Sequence, residues 1–428
     1  MQPSASALFS SPLAEELAED ILERFLRYVR IDTQAAYGSD SYPSTPGQLE
    51  LSNLLADELR GLGIEDAEVD EYGYVFATVP GSAGPTVGLL AHVDTSPDAP
   101  GSGVAPQVIP GYEGGPVVLP GSPEQVLTPE DSPLLAERVG HDIVTTDGTT
   151  LLGADDKAGV AEIMAAVAYL AAHPEVPHAP LRIAFTVDEE VGRGTEYLDL
   201  EAFGAEFAYT MDGARVGEIE NETFSALEAT VTIKGRSAHP GTAKGKLVNA
   251  VKLAARLIAS LPPELSPEAT EGRQGFLHPT DVTGTTEGVK IRIILRDFDD
   301  RRLESHAELL RGLVQELSES EPRARISLEV AEVYRNMKEV LDAHPQILAA
   351  AEEAVLRAGL EPTTGSIRGG TDGSMLSARG LPTPNIFTGG NEYHSVREWI
   401  SVQDMAAAAA TIVELARLWA EPAWARPS

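Results

Sequence analysis

At 428 residues the chain is long enough for two or three structural units. Its 32 basic against 66 acidic residues give a formal charge of −34, and such a surface repels phosphate backbones, which argues against nucleic acid and anionic membrane as partners. Cysteine is absent, so disulfides, thiolate catalysis and Cys-based zinc or iron–sulfur sites are excluded. Any metal must sit on His, Asp and Glu. A hydrophobic fraction of 43% excludes global disorder.

Residues 1–10 form a Ser/Pro/Ala-rich tail without Lys, Arg or a sustained apolar run, so no secretory signal is expected and a cytoplasmic enzyme is the default. Ser11-Pro12 reads as an N-cap and first turn. Leu13, Leu17, Ile21, Phe25 and Val29 then recur every fourth residue, the apolar face of an amphipathic helix. Short apolar runs at 74–79, 87–91, 181–187, 207–211 and 384–388 read as buried strands. Helical stretches at 159–173 and 346–358 lie between them, and 405–420 reads as a core-facing helix because Glu414 and Arg417 interrupt it. This alternation predicts an α/β fold with a mostly parallel central sheet flanked by helices.

Two regions depart from that rhythm. Residues 97–121 are dense in Gly and Pro and predict loops or an extended ribbon. Residues 228–332 predict an inserted α+β domain: strand 229–233, helix 246–261, strand 289–299, helix 302–317 and strand 325–330. The expected organisation is a catalytic domain in two parts, 1–227 and 333–428, around that insert.

Metal-capable residues fall just beyond the strands: His92-Val93-Asp94, Asp188-Glu189-Glu190, Asp212-Gly213, and His394 after a Gly-Gly turn. Ligands of open α/β sheets bind at the carboxyl ends of the strands. A further cluster, Asp155-Asp156-Lys157, precedes a helix, where the dipole favours negative charge. Each piece alone has an ordinary reading: a loop pair, a solvated strand end, a helix cap. Together they suit two zinc ions bridged by Asp155, one completed by His92 and Asp212, the other by Glu190 and His394. Asp155, Asp212, Glu190 and a bridging hydroxide would balance two divalent charges, and neutral imidazoles leave the sum unchanged. Glu189 is then free as a base and Asp94 to orient a ligand.

The stretches 92–98, 145–159 and 188–192 closely resemble the peptidase T family of tripeptide aminopeptidases, which belongs with the two-zinc exopeptidases that include carboxypeptidase G. The resemblance continues through 209–213, His239-Pro240-Gly241-Thr242-Ala243-Lys244-Gly245, 295–299, Arg368-Gly369-Gly370-Thr371-Asp372-Gly373 and His394. The residues at 236–238 and 395–397 differ from the family's usual runs. The resemblance implies a zinc-exopeptidase catalytic domain with an inserted lid and dimerisation domain, and two zinc ions per chain, replaceable by cobalt or manganese. It implies His92, Asp155, Glu190, Asp212 and His394 as ligands, Asp94 and Glu189 as catalytic acids, and a cis peptide at Asp155–Asp156. His239 would approach the substrate carbonyl as an oxyanion donor, acting in a homodimer. Arg296 and Arg368 are candidates for the peptide's C-terminal carboxylate, since guanidinium binds carboxylate bidentately. The remaining histidines (His141, His173, His178, His278, His306, His344) read as structural or solvated.

The expected activity is release of the N-terminal residue from short peptides with a free N-terminus. Competing readings are a related two-zinc dipeptidase, carboxypeptidase or N-acyl amino acid deacylase, and a non-catalytic peptide- or metal-binding relative, which would lack ligands or base.

Overall fold

A computed structural model describes residues 8–424; the start of the tail, residues 1–7, lies outside them. The first helix, Pro12–Tyr28, starts where the sequence places it. Ser11 Oγ accepts the Ala14 N–H at 3.1 Å, and Leu17, Ile21 and Phe25 are buried.

The chain divides into two compact units, the second comprising Glu222–Lys338 and Ser366–Gly370, the first the rest. The first unit is built on an eight-stranded sheet in the order Glu68–Val69, Val75–Val79, Leu181–Thr186, Val87–His92, Phe207–Gly213, Asn385–Phe387, Glu218–Thr223 and Thr363–Ile367. Its centre is parallel: Val87–His92 pairs in parallel with both Leu181–Thr186 and Phe207–Gly213, and Asn385–Phe387 pairs in parallel with Phe207–Gly213. Antiparallel pairs flank that centre, so the sheet is mixed. Every residue of Val87–His92 is buried, as expected of a strand covered on both faces.

The helices Pro12–Tyr28, Ala154–Ala172 and Val402–Ala420 pack on one another. In Val402–Ala420 nearly every side chain is buried, including the run Ala406–Ala410. Small side chains let neighbouring helices approach closely, which suits a helix with no solvent-facing stripe. No described helix is long and apolar enough to cross a membrane.

The Gly/Pro-rich 97–121 region is mostly turns, with two short strands, Gln107–Ile109 and Val117–Val118. The first joins a second sheet with Ile143–Thr145, Trp399–Ser401 and Gly390–Asn391. That sheet carries the segments bearing His394 and Glu398.

The second unit has a four-stranded antiparallel sheet, ordered Phe276–Gly284, Gly288–Asp297, Ser225–Lys234 and Arg325–Tyr334, with helices Ala250–Ser260 and Asp300–Ser320. Its core gathers Val231, Ile233, Ile291, Ile293, Leu303 and Leu310. The strand Phe276–Gly284 is absent from the sequence reading. It is an edge strand holding Pro279 beside a register shift, and five of its last six residues are polar, Pro or Gly. The helix expected from 246 begins only at Ala250, because the Asn249 side chain accepts the Lys252 N–H and fixes the start.

Candidate active site

Three central strands of the first unit deliver their polar ends to one place. His92 is the last residue of its strand, Asp212 lies one residue before the end of Phe207–Gly213, and Leu181–Thr186 leads into a tight turn over 188–192. Asp155 sits at the head of Ala154–Ala172, but it and Asp156 keep non-helical backbone angles, so the regular helix begins after them. The peptide between them is cis.

Asp155 is the centre of the arrangement. Its Oδ1 lies 3.1 Å from His92 Nε2, which is also 3.7 Å from Asp212 Oδ1. Its Oδ2 lies 3.3 Å from His394 Nε2, which is 3.1 Å from Glu190 Oε2. Two triads therefore share one carboxylate, and within each the donor atoms lie within 4.8 Å of one another.

The imidazoles are oriented for ligation. His92 Nδ1 faces the Asp94 carbonyl at 3.1 Å, and His394 Nδ1 faces Asp98 Oδ2 at 3.3 Å. With the ring proton held on Nδ1, each Nε2 lone pair points into the site. Glu190 Oε1 supplies a second indication: it is buried with no hydrogen-bond partner. A buried acceptor left unpaired is costly unless a cation or proton completes it. This donor set fits two divalent ions.

The charges lean the same way. Bonds to Asp155 and Glu190 push the His394 ring up to about 11. Burial, reinforced by Asp155, pushes Glu190 up to about 8. Burial would raise Asp155 too, but its bonds to His394 and His92 outweigh that and hold it below the usual carboxylate range. Burial drives Glu189 well above its ordinary value, with Asp212 and Asp372 adding to the shift and His92 opposing it. Such crowded carboxylates cannot all ionise unless cations share the space.

Around these groups lies a layer of supports, of which the sequence offered only Asp94. Asp94 is fully buried, and its two oxygens accept the Glu189 and Glu190 N–H groups, both at 3.0 Å. Asp188, also buried, holds a left-handed backbone with φ of 60°. It is clamped from the N-terminal region: Ser44 N–H donates to Oδ2 at 2.7 Å, Gln48 Nε2 to Oδ1 at 2.7 Å, and Gln48 Oε1 accepts the Asp188 N–H at 2.9 Å. Glu398 accepts the Leu152, Gly153 and Asp155 N–H groups at 2.7, 2.7 and 3.1 Å. Asp156 accepts the His92 N–H at 3.0 Å. No local motif marks Ser44, Gln48 or Glu398, since their partners are remote in the chain.

The other three candidates belong to the second unit. His239 caps a short turn, exposed, with Nδ1 accepting the Gly241 N–H at 3.1 Å. Its neutral ring therefore carries the proton on Nε2, the form that donates outward. Arg296 turns Nη1 onto the carbonyls of Leu227 and Leu295 and lies 5.3 Å over the Tyr334 ring. Arg368 is more heavily engaged. Nη1 donates to the Gly272 and Gln274 carbonyls, Nη2 to Thr270, and the guanidinium stacks on Phe224 and Phe276.

Known proteins bear on this geometry. The profile of Peptidase family M20/M25/M40 matches residues 145–418. Peptidase T of Bacillus subtilis (strain 168) is 48% identical over 404 residues, covering 94% of this chain and 98% of its own. The chain belongs to the peptidase T family, within the M20/M25/M40 peptidases. It is accordingly a peptidase. Peptidase T of Listeria monocytogenes is 45% identical over 408 residues, 95% of this chain and 100% of that protein.

Solved structures share the fold. Aminopeptidase PepT from Bacillus cereus aligns with a TM-score of 0.70 at 23% identity over 94% of this chain and 99% of its own. A tripeptidase from Staphylococcus aureus aligns at 0.73 and 22%, over 94% and 98%. The YXEP protein of Bacillus subtilis, described as a dinuclear metal binding peptidase of the M20 family, aligns at 0.63 and 16%, over 95% and 99%.

Proposed function

We propose that this peptidase is a tripeptide aminopeptidase working with two zinc ions, one held by His92, Asp155 and Asp212, the other by Asp155, Glu190 and His394. The observation that carries the reading is the Asp155 carboxylate, whose two oxygens face different triads. Bound there, divalent cations would polarise the scissile carbonyl and acidify a shared water. Glu189 takes the proton of the attacking water and returns it to the leaving amine. Asp94 fixes the Glu189 and Glu190 amides and the His92 ring, so base and ligands hold one geometry. His239 donates Nε2–H to the oxyanion, and Arg296 or Arg368 receives the peptide's C-terminal carboxylate.

The reading also carries a cytoplasmic homodimer joined through residues 228–332. The strand Arg325–Tyr334 supports it, being a sheet edge with Ile326, Leu328 and Val330 only half-buried beside a groove. Substrate choice is tested by assaying one sample with a free tripeptide, its N-acetyl form and a dipeptide. The free tripeptide is expected to be turned over far faster than either. Equal turnover of the acetylated peptide would show a deacylase or carboxypeptidase.

A further inference from the structure

The second unit holds a basic cavity in a chain whose acidic residues outnumber its basic ones two to one. A cavity of about 570 Å³ is lined by Lys234, Arg236, Arg323 and Arg325 around the backbone of Gly235 and Gly288, with Glu287 as its single carboxylate. Lys234 and Arg325 stand directly opposite each other on neighbouring antiparallel strands. Like charges in that position repel and destabilise a sheet. Among the described residues no carboxylate pairs with Lys234, Arg236 or Arg325, although the chain has carboxylates in excess; only Arg323 has such a partner, Glu321. The cavity floor is open as well. A Cβ added at Gly288 would meet nothing nearer than the Ile233 carbonyl at 3.6 Å.

We propose that this cavity binds a compact oxyanion carrying two or more charges, a phosphate group or a small dicarboxylate. Two guanidinium forks and an ammonium can share its oxygens, and its charge would convert the Lys234–Arg325 repulsion into a shared attraction. Four cations against Glu287 and the Glu321 partner of Arg323 still leave a positive balance for it. Binding would also be felt in the loop that carries His239. The Arg236 and Val248 backbones pair to close that loop, and Arg323 Nη1 donates to the Gly245 carbonyl within it at 3.1 Å. An anion that immobilises Arg236 therefore tightens residues 236–248, a loop that Arg323, itself paired with Glu321, already holds at Gly245.

The test is backbone hydrogen exchange on the metal-loaded full chain, with inorganic phosphate, succinate and sodium chloride at matched ionic strength. At ten times its dissociation constant the bound anion should slow exchange in 236–248 about tenfold relative to chloride. Protection by phosphate alone identifies a phosphate group as the ligand; protection by succinate as well identifies any compact dianion. In the double variant Lys234→Ala/Arg325→Ala the protection should vanish, while the thermal midpoint in chloride stays level or rises because the repulsion is gone. Arg236→Gln, a single exposed change, should weaken protection without altering the midpoint. Equal protection in the double variant would place the anion elsewhere, at the metal centre for instance, and overturn the proposal. So would protection by neither dianion. The readout is binding, so it stands apart from the assignment of His239 to the reaction.

Discussion

The first unit's carboxylates and the second unit's arginines are both concentrated charge, yet they differ in how far the protein satisfies them. Around Asp155 the acids crowd together, and Glu190 Oε1 is buried with no partner. Arg368 spends its Nη protons on Gly272, Gln274 and Thr270 and lays its face on two phenylalanines. A group whose valences are met at home has little left for a ligand; one left incomplete is a receptor. Unmet valence is therefore a better guide to function here than charge.

The contrast can be broken most sharply at Glu189. Glu189→Ala should lower kcat on the order of a thousandfold while two zinc ions per chain remain. Metal analysis on the assayed sample decides, because zinc lost together with activity would make Glu189 a ligand. His239→Ala should lower kcat about a hundredfold, again at constant metal content. Near-normal turnover would remove its oxyanion role.

The two arginines test the other side of the comparison. Arg296, held by fewer internal bonds, should on change to Ala raise KM for a tripeptide about tenfold and leave the tripeptide amide unaffected. Arg368→Ala should instead cost about 2 kcal/mol of stability, read by chemical denaturation, through lost carbonyl and ring contacts. A KM effect confined to Arg368 would reverse that ranking. The smallest expected effect is at the clamp on Asp188. Gln48→Ala should lower kcat severalfold with little change in KM, and Gln48→Glu should not restore it, since a carboxylate cannot donate to Asp188.

The architecture was legible where physics is local. Buried strands are apolar runs, and runs such as 87–91 and 207–211 end where polar residues begin, so the polar ends of the sheet could be read directly. The helix at Pro12 could be read from its Ser-Pro start. The edge strand Phe276–Gly284 could not, because an edge tolerates the Pro and polar residues that hide a strand pattern. The segment 366–370 of the second unit was out of reach for a related reason. The return of Ser366–Gly370 to that unit is a tertiary fact with no compositional mark. The supports of the site escaped most completely. Ser44 and Gln48 resemble any polar residues near a helix start, and their meaning lies in a left-handed Asp188 about 140 positions away.

Glu398 has a consequence for the timing of synthesis. Its carboxylate anchors the amides of Leu152, Gly153 and Asp155 across 246, 245 and 243 positions of sequence. A growing polypeptide acquires Asp155, Glu189 and Glu190 in its first half, but not the residue that aims the Asp155 backbone, nor His394. On the proposed metal site, peptide-cleaving competence thus waits for residues 394–398. A half-made chain on the ribosome would hold His92, Asp155 and Asp212 but neither His394 nor the Glu398 anchor, so a product terminated before them would lack the second triad.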